Sequence, residues 1–442
     1  MNCRFFILFL LPLCAISCDN NFDSGTGIHK EALEHVKKKI DYINKTDIRG
    51  GSFIFITDTH VTSNFLNSPQ QIRYILNQTP IDKVIWGGDA ISAYGNNIEE
   101  QWDWHCNAFD AFLKGHGEFY KVRGNHDFTL KQSKTSEGGR TLSQHQTFQY
   151  LFSNHPKGIV LNTNDPDGCY YYVDDDNSKI RYIILDTDDS VNEGNVPWGV
   201  VNGVHDLQLD WIANIAILSI PNNYSIIFIS HIPITDTTSE CYPIYRNVLQ
   251  LVNAVNTRGT GNIGPVWYDF SSLENVKVIL YLSGHMHHDM QTYQSGVLHV
   301  VTASDAAYGD YLSDPFVLDK SGRHGTNAQC FDCVCIDKNK EIISFVRFGV
   351  GGNRVFHLRP IRLKVGDKRQ IDVTQSGDEF IWYSYNSSGN RYGYDKGIWT
   401  LYNTIVMVDH QGVVKGERAG EAVVLNINEK GDKEFYNVIV EV

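Results

Sequence analysis

Val278-Ile279-Leu280-Tyr281-Leu282-Ser283, followed by Gly284-His285-Met286-His287-His288, decides how the rest of the chain is read. The apolar run stopped by glycine predicts a buried strand. It delivers the histidines to the strand's carboxyl end, where open α/β sheets place their ligands. On an extended backbone His285 and His287 share one face, roughly 6.5–7 Å apart, a spacing from which two imidazoles can serve two neighbouring metal ions. Taken alone, the cluster reads equally well as a solvated turn.

Four more strand ends bear on that choice. Apolar runs Phe53 to Ile56, Val84 to Trp86, Phe119 to Val122 and Ile226 to Ile229 lead into Asp58-Thr59-His60, Gly88-Asp89, Gly124-Asn125-His126-Asp127 and Ser230-His231. Each segment ends in oxygen or nitrogen donors. As an ordered set they resemble the calcineurin-like metallophosphoesterase family, whose blocks run D-x-H, G-D, G-N-H-[DE], H and G-H-x-H. The resemblance implies an α/β fold of two packed mixed β-sheets flanked by helices.

It also implies a dinuclear site. Asp58, His60 and His287 would bind one metal, Asn125, His231 and His285 the other, and Asp89 would bridge them. Carboxylates and imidazoles in this number suit Mn, Fe or Zn and are a poor choice for Mg or Ca. Two such ions, about 3.5–4 Å apart, neutralise phosphoryl oxygens and hold a hydroxide for in-line attack on phosphate mono- or diesters. By the same resemblance His126 is the general acid, because imidazole titrates near working pH, and Asp127 is placed to orient it.

Arg123 has two open readings. An arginine before Gly-Asn-His also occurs in Ser/Thr protein phosphatases, where it clamps phosphate, and guanidinium geometry suits that task; it serves equally as a structural ion pair. The Asp-Arg-Gly signature of those phosphatases is replaced here by Ala90-Ile91-Ser92, which weighs against protein phosphatase activity. His288 and Asp289 are expected to support the ligands rather than add to them. Candidate substrate contacts lie in 131–140 and in 305–327, the latter with Tyr308, Tyr311, Arg323 and His324.

At 442 residues the chain exceeds what one hydrophobic core usually supports, so two domains are expected. An apolar share of 42% and a charged share of 20% describe a folded protein. The net charge of −13 argues against broad electrostatic capture of nucleic acid.

Near the amino terminus Arg4 precedes an apolar run, Phe5 to Ile16, too short to span a bilayer and laid out as a secretory signal over residues 1–17. Ala15-Ile16-Ser17-Cys18 resembles a bacterial lipobox. Cys18 would then be lipidated and the protein exported as a membrane-anchored lipoprotein of the cell envelope; a plain cleaved signal peptide is the alternative. Residues 18–47 are expected to hold a polar tether over 20–28 and a helix over Lys30 to Lys45, with Leu33, Val36, Ile40 and Ile43 on one face. Of the remaining cysteines, Cys330, Cys333 and Cys335 cluster, with the alternation of a strand face, and are expected to be buried rather than zinc-binding; one disulfide is open. Asp174-Asp175-Asp176 is expected to be a hairpin turn, since it lacks the spaced ligands of a calcium loop.

The catalytic domain is expected over 48–352, ending at Gly351-Gly352-Asn353. From 356 to 442 short alternating strands predict a small all-β sandwich. Its phrases Leu363-Lys364-Val365-Gly366-Asp367, Trp382-Tyr383-Ser384 and Gly412-Val413-Val414-Lys415-Gly416 resemble the bacterial immunoglobulin-like group 2 module, which implies a spacer or a surface or glycan contact. A rival reading follows: a surface binding or adhesion lipoprotein whose phosphoesterase fold is idle. The intact donor set weighs against it, because an idle site has no need for so many clustered polar groups.

Overall fold

The computed structural model describes residues 22–46, 48, 50–60, 67–92, 98–128, 142–152, 156–189, 203–235, 245–294, 296–306, 329–375, 377, 379–386 and 405–442. Cys18, Tyr308, Tyr311, Arg323, His324 and the 131–140 stretch lie outside the described residues.

Strands and helices alternate through the first half. α1 (Lys30–Lys45) precedes β1 (Ser52–Ile56), α2 (Ser68–Gln78) and β2 (Lys83–Trp86). α3 (Ile98–His105) winds on as a π-helical turn over Cys106–Ala111 and leads to β3 (Glu118–Lys121), then α4 (Gln144–Phe152). After β4 (Val160–Leu161), β5 (Tyr171–Asp175) and β6 (Ile180–Ile184) comes α5 (Asp206–Trp211), again prolonged by a π-helical stretch, Ile212–Ile217. β7 (Ser225–Ile229), α6 (Tyr245–Thr257), β8 (Thr260–Ile263), β9 (Val266–Asp269), β10 (Lys277–Ser283), β11 (Met290–Gln294) and β12 (Val297–Val301) complete this half. The rest, as described, is strand: β13 (Cys330–Asp337), β14 (Ile342–Gly349), β15 (Arg354–Lys364), β16 (Lys368–Gln370), β17 (Phe380–Asn386), β18 (Val406–Val408), β19 (Val413–Gly416), β20 (Gly420–Asn428) and β21 (Lys433–Glu441).

Two mixed sheets result, as expected. One runs β17-β20-β21-β15-β14-β13-β1-β2-β3, the other β11-β12-β10-β7-β6-β5-β4. Between them lies the main core, in which Phe53, Phe55, Tyr182, Ile227, Leu280 and Phe345 are all but excluded from solvent. The outer face of the seven-stranded sheet packs under α5 and α6 through Ile183, Phe228, Trp211 and Val252. α1 presents Leu33, Val36, Ile40 and Ile43 inward at three- and four-residue spacing, so its burial follows directly from its sequence period.

β1, β2 and β3 are parallel neighbours in one sheet, β7 and β10 in the other. Parallel strands end on the same side, so all five donor-bearing segments are delivered to one edge of the paired sheets.

Two expectations change. Residues 22–28 are not a free tether: Phe22 bridges His29, Asp23 accepts from Thr26 N–H at 2.8 Å, and Ile28 is buried with Ala32 and Leu33. The C-terminal region is all-β and has its own small core beneath β16, β18 and β19, built on Leu363, Val406, Val414 and Val438. It is not a detached spacer, however. β15 pairs with β14 through Ile342↔His357 to Phe345↔Arg354 and then runs on beside β21 to Lys364↔Glu441. Gly351-Gly352-Asn353 is therefore a turn between neighbouring strands. Phe356, Tyr385, Val423, Leu425, Ile427 and Phe435 belong to the main core itself.

Smaller features behave as expected. Cys330, Cys333 and Cys335 are buried on β13. The acidic hairpin turn spends its carboxylates on protein groups: Asp174 on Arg181 at 2.6 Å, Asp175 on Lys83 at 3.2 Å, Asp176 on the Tyr224 hydroxyl.

Candidate metal centre

β1 leads into Thr57 and Asp58, where the chain turns left-handed. Asp58, His60, Asp89, His285 and His287 all have positive φ, at 54°, 45°, 53°, 69° and 58°. None is glycine, so each conformation costs about 1–3 kcal/mol, and such strain persists only where the surroundings over-determine it. Five of the seven expected ligands sharing this feature marks the edge as a built site. Glycine is required where backbones crowd: a Cβ at Gly284 would lie 2.1 Å from Thr57 Oγ1 and 2.5 Å from Asp58 Oδ2. Gly88, at φ +98°, leaves no room either, with the His231 ring 2.6 Å from where its Cβ would be.

The side chains converge in two groups that share one residue. Asp58, His60, Asp89 and His287 form the first; Asp89, His231 and His285 form the second. In the first, His287 Nε2 lies 3.2 Å from Asp58 Oδ1 and 3.3 Å from His60 Nε2. In the second, His231 Nε2 lies 3.1 Å from both Asp89 Oδ2 and Asn125 Oδ1, and His285 Nδ1 lies 3.0 Å from Asn125 Oδ1.

Outer contacts fix which ring atom faces inward. His60 Nδ1 faces the Ile91 carbonyl at 3.2 Å and His231 Nδ1 the Gly87 carbonyl at 2.8 Å. A neutral ring with its proton on Nδ1 turns the Nε2 lone pair toward the carboxylates, the amide and the other imidazoles, the orientation that ligation of a cation requires.

Asp58 supplies the direct test. Its Oδ2 accepts from Thr57 Oγ1 at 2.6 Å and His285 N–H at 3.0 Å, while its buried Oδ1 faces the histidines, 3.2 Å from His287 Nε2 and 3.9 Å from both His60 Nε2 and His231 Nε2. A buried carboxylate oxygen ringed by three imidazole nitrogens is the donor chemistry that transition-metal ions take. The residues present thus fit a pair of transition-metal ions. The carboxylates make the field at this point strongly negative. Burial works against a charged His231 ring, but the Asp89 and Asp58 carboxylates override it and lift its pKa to about 10. Burial instead wins at His60 and takes it down to about 4.

The sequence profile of the calcineurin-like phosphoesterases matches residues 51–289. The chain belongs to the calcineurin-like phosphoesterase family. No curated protein sequence matches it significantly. Among solved structures, a dimetal phosphatase from Danio rerio shares 14% identity over 69% of this chain and 98% of its own, with a TM-score of 0.46. GAP50, the anchor in the inner membrane complex of Plasmodium, shares 14% over 66% of this chain and 83% of its own, with a TM-score of 0.38. The phosphopantetheinyl hydrolase of Mycobacterium tuberculosis shares 15% over 57% and 89%, with a TM-score of 0.28.

Of the two readings of Arg123 the geometry shows the ion pair: its Nη1 is buried against Asp186 Oδ2 at 2.8 Å, and its guanidinium lies 4.1 Å from the centre of the Phe128 ring. Burial opposes its charge, yet Asp186 holds its pKa above the ordinary arginine value. Asp127 does not orient His126. Its Oδ1 accepts from Ala90 N–H at 2.7 Å, and its Oδ2 from Gly124 N–H at 2.7 Å and Asp89 N–H at 3.1 Å. It is a brace that ties the β2 end to the β3 end and so sets Asp89 beside Asn125.

His126 sits at the rim of the phosphoesterase site. Its backbone N–H donates to Asp89 Oδ1 at 2.8 Å, its ring lies edge-on to His60 with centroids 4.9 Å apart, and its Nε2 is 3.9 Å from Asp89 Oδ2. Among the described residues, the carboxylate that pairs with this ring is Asp89.

Sequence reasoning missed several supports. Thr57 steadies Asp58, Ser304 Oγ donates to the Asp58 carbonyl at 3.0 Å, and Asp186 holds Arg123. A signal existed for Asp186: it ends the apolar run Ile183 to Leu185, as the ligands end theirs.

Proposed function

We propose that this chain is a dinuclear metal-dependent phosphoesterase that hydrolyses phosphate mono- or diesters. The observation that carries the reading is the pair of buried donor clusters that share Asp89, with Asp58 Oδ1 at the meeting point of three histidines. Asp58, His60 and His287 would hold one ion, Asn125, His231 and His285 the other, with Asp89 common to both. Bound transition-metal ions supply Lewis-acid neutralisation of phosphoryl oxygens and an acidified water. The protein does the rest. Asp127 and the Arg123–Asp186 pair fix the loops that carry the donors, and His126, at the rim, gives a proton to the leaving oxygen.

Metal content and hydrolysis of nitrophenyl phosphate and bis-nitrophenyl phosphate test the reading and separate monoesterase from diesterase. His126→Ala is expected to keep its metal and lose about 10²–10⁴-fold in turnover. The loss should be larger for alkyl phosphates, whose leaving alkoxide needs the proton, than for nitrophenyl esters. Turnover equal to wild type on both kinds of ester would remove His126 from the mechanism, and a metal-free wild type would favour the binding-protein reading.

The proposal extends to location. The 4–18 segment supports export and a lipid on Cys18. A globomycin-sensitive mobility shift, lost in Cys18→Ala, is the expected result; a shift-free wild type would leave a plain cleaved signal.

A further inference from the structure

The residue after the metal loop is the start of a second set of contacts. Asp289 Oδ1 lies 2.7 Å from Arg347 Nη2 and 2.7 Å from Arg354 Nη1, and it accepts from Ala303 N–H at 3.2 Å. Asp332, on β13, faces the same two guanidiniums, 2.9 Å from Arg347 Nε and 2.7 Å from Arg354 Nη2. All four side chains are buried, two acids against two bases. Burial favours a neutral Asp289, but the two arginines hold its carboxyl well below the usual carboxylate range.

Position gives this quartet its meaning. His285 and His287 are left-handed residues on a short loop that is tied at its start by Gly284 N–H to the His231 carbonyl at 3.0 Å and by His285 N–H to Asp58. Asp289 is the tie at its far end, two residues past His287. Arg347 lies on β14 and Arg354 opens β15, the strand that continues beside β21. The same corner is closed by Asn353, whose Oδ1 accepts from Lys39 Nζ at 2.7 Å and Arg347 N–H at 3.1 Å, and whose N–H donates to Asp432 at 2.7 Å.

We propose that Asp289, Arg347 and Arg354 are positioning residues that clamp the His285–His287 loop in its metal-binding conformation, and that the β15–β21 strand pair is thereby part of the apparatus that holds the ions. The inference rests on the dinuclear reading above. Ligands supported by charged outer contacts typically lose about 10–100-fold in metal affinity when the contact is removed.

The test is Co²⁺ titration of full-length wild type, Asp289→Asn, Arg354→Met and Asp332→Asn, followed by visible absorption, with apo-protein melting as a control for folding. Asp289→Asn keeps shape and one acceptor but loses the charge that holds both arginines. It is expected to weaken Co²⁺ binding about 10–100-fold and to alter the absorption bands, with Arg354→Met doing the same. Asp332→Asn touches the same arginines but not the metal loop. It should lower the apo melting temperature and leave Co²⁺ affinity within about threefold, because a merely structural role would move melting and not the spectrum. Wild-type Co²⁺ affinity in a folded Asp289→Asn, or equal metal loss in Asp332→Asn, would overturn the clamp while leaving the dinuclear reading standing. A wild type that binds no Co²⁺ would overturn the dinuclear reading first, and the clamp with it.

Discussion

Asp89→Asn is expected to lose at least one metal ion per chain and to lower turnover by on the order of 10³-fold, equivalent to about 4 kcal/mol of barrier. Asp89 is the residue common to both donor groups, with Oδ2 3.1 Å from His231 Nε2 and 3.8 Å from His60 Nε2. Its carboxyl is held well below the ordinary range: burial alone would raise it, and the His231 and His126 rings more than offset that. An amide keeps the shape and leaves an oxygen to accept from His126 N–H, so the fold is preserved. It removes the negative charge that two cations share, and two dications brought close without it repel strongly. Elemental analysis and steady-state kinetics measure both effects. The apo variant is expected to melt somewhat below apo wild type, since the lowered Asp89 carboxyl reports a net favourable interaction with His231 and His126 that an amide gives up. Unchanged metal content and turnover would show that Asp89 is not shared.

Removing residues 353–442 is expected to give an insoluble or aggregated protein rather than a smaller active enzyme. Phe356, Tyr385, Val423, Leu425, Ile427 and Phe435 would leave the main core. At about 1.5–3 kcal/mol for each buried large side chain, that loss rivals or exceeds the about 5–15 kcal/mol by which whole domains are stable. The edge of β14 from Ile342 to Phe345 would lose its partner strand, and Asp289 and Asp332 would lose Arg354. An unpaired apolar edge is a template for association. Soluble expression and size-exclusion chromatography read the outcome. A monodisperse, metal-loaded, active fragment would restore the picture of an independent spacer.

The donor set was legible because each block pairs a strand-like run with residue types that metal chemistry demands, and their chain order left little freedom. The roles of their neighbours were not. Arg123 satisfies a phosphate or a carboxylate equally well, and the choice was made by Asp186, far along the chain. Asp127 reads as a partner for the adjacent His126, yet its acceptors serve backbone N–H groups, which no side-chain pattern reveals. Left-handed backbone at Asp58, His60, Asp89, His285 and His287 was invisible for a related reason: glycine announces such conformations and these residues do not. Alternation located the C-terminal strands but says nothing of what they pair with, so a shared sheet looked like a separate module.

The nine-stranded sheet also sets the order in which the chain can finish folding. β1 is registered on β13 from Ser52↔Cys335, and β15 on β21 from Arg354↔Lys433, so β1 waits for β13 and β15 waits for β21. Closing such distant pairs is slow, and until β21 has emerged from the ribosome the growing polypeptide has an incomplete sheet to protect. Refolding from denaturant should accordingly be sluggish and concentration-sensitive, and the nascent protein a steady client for chaperones.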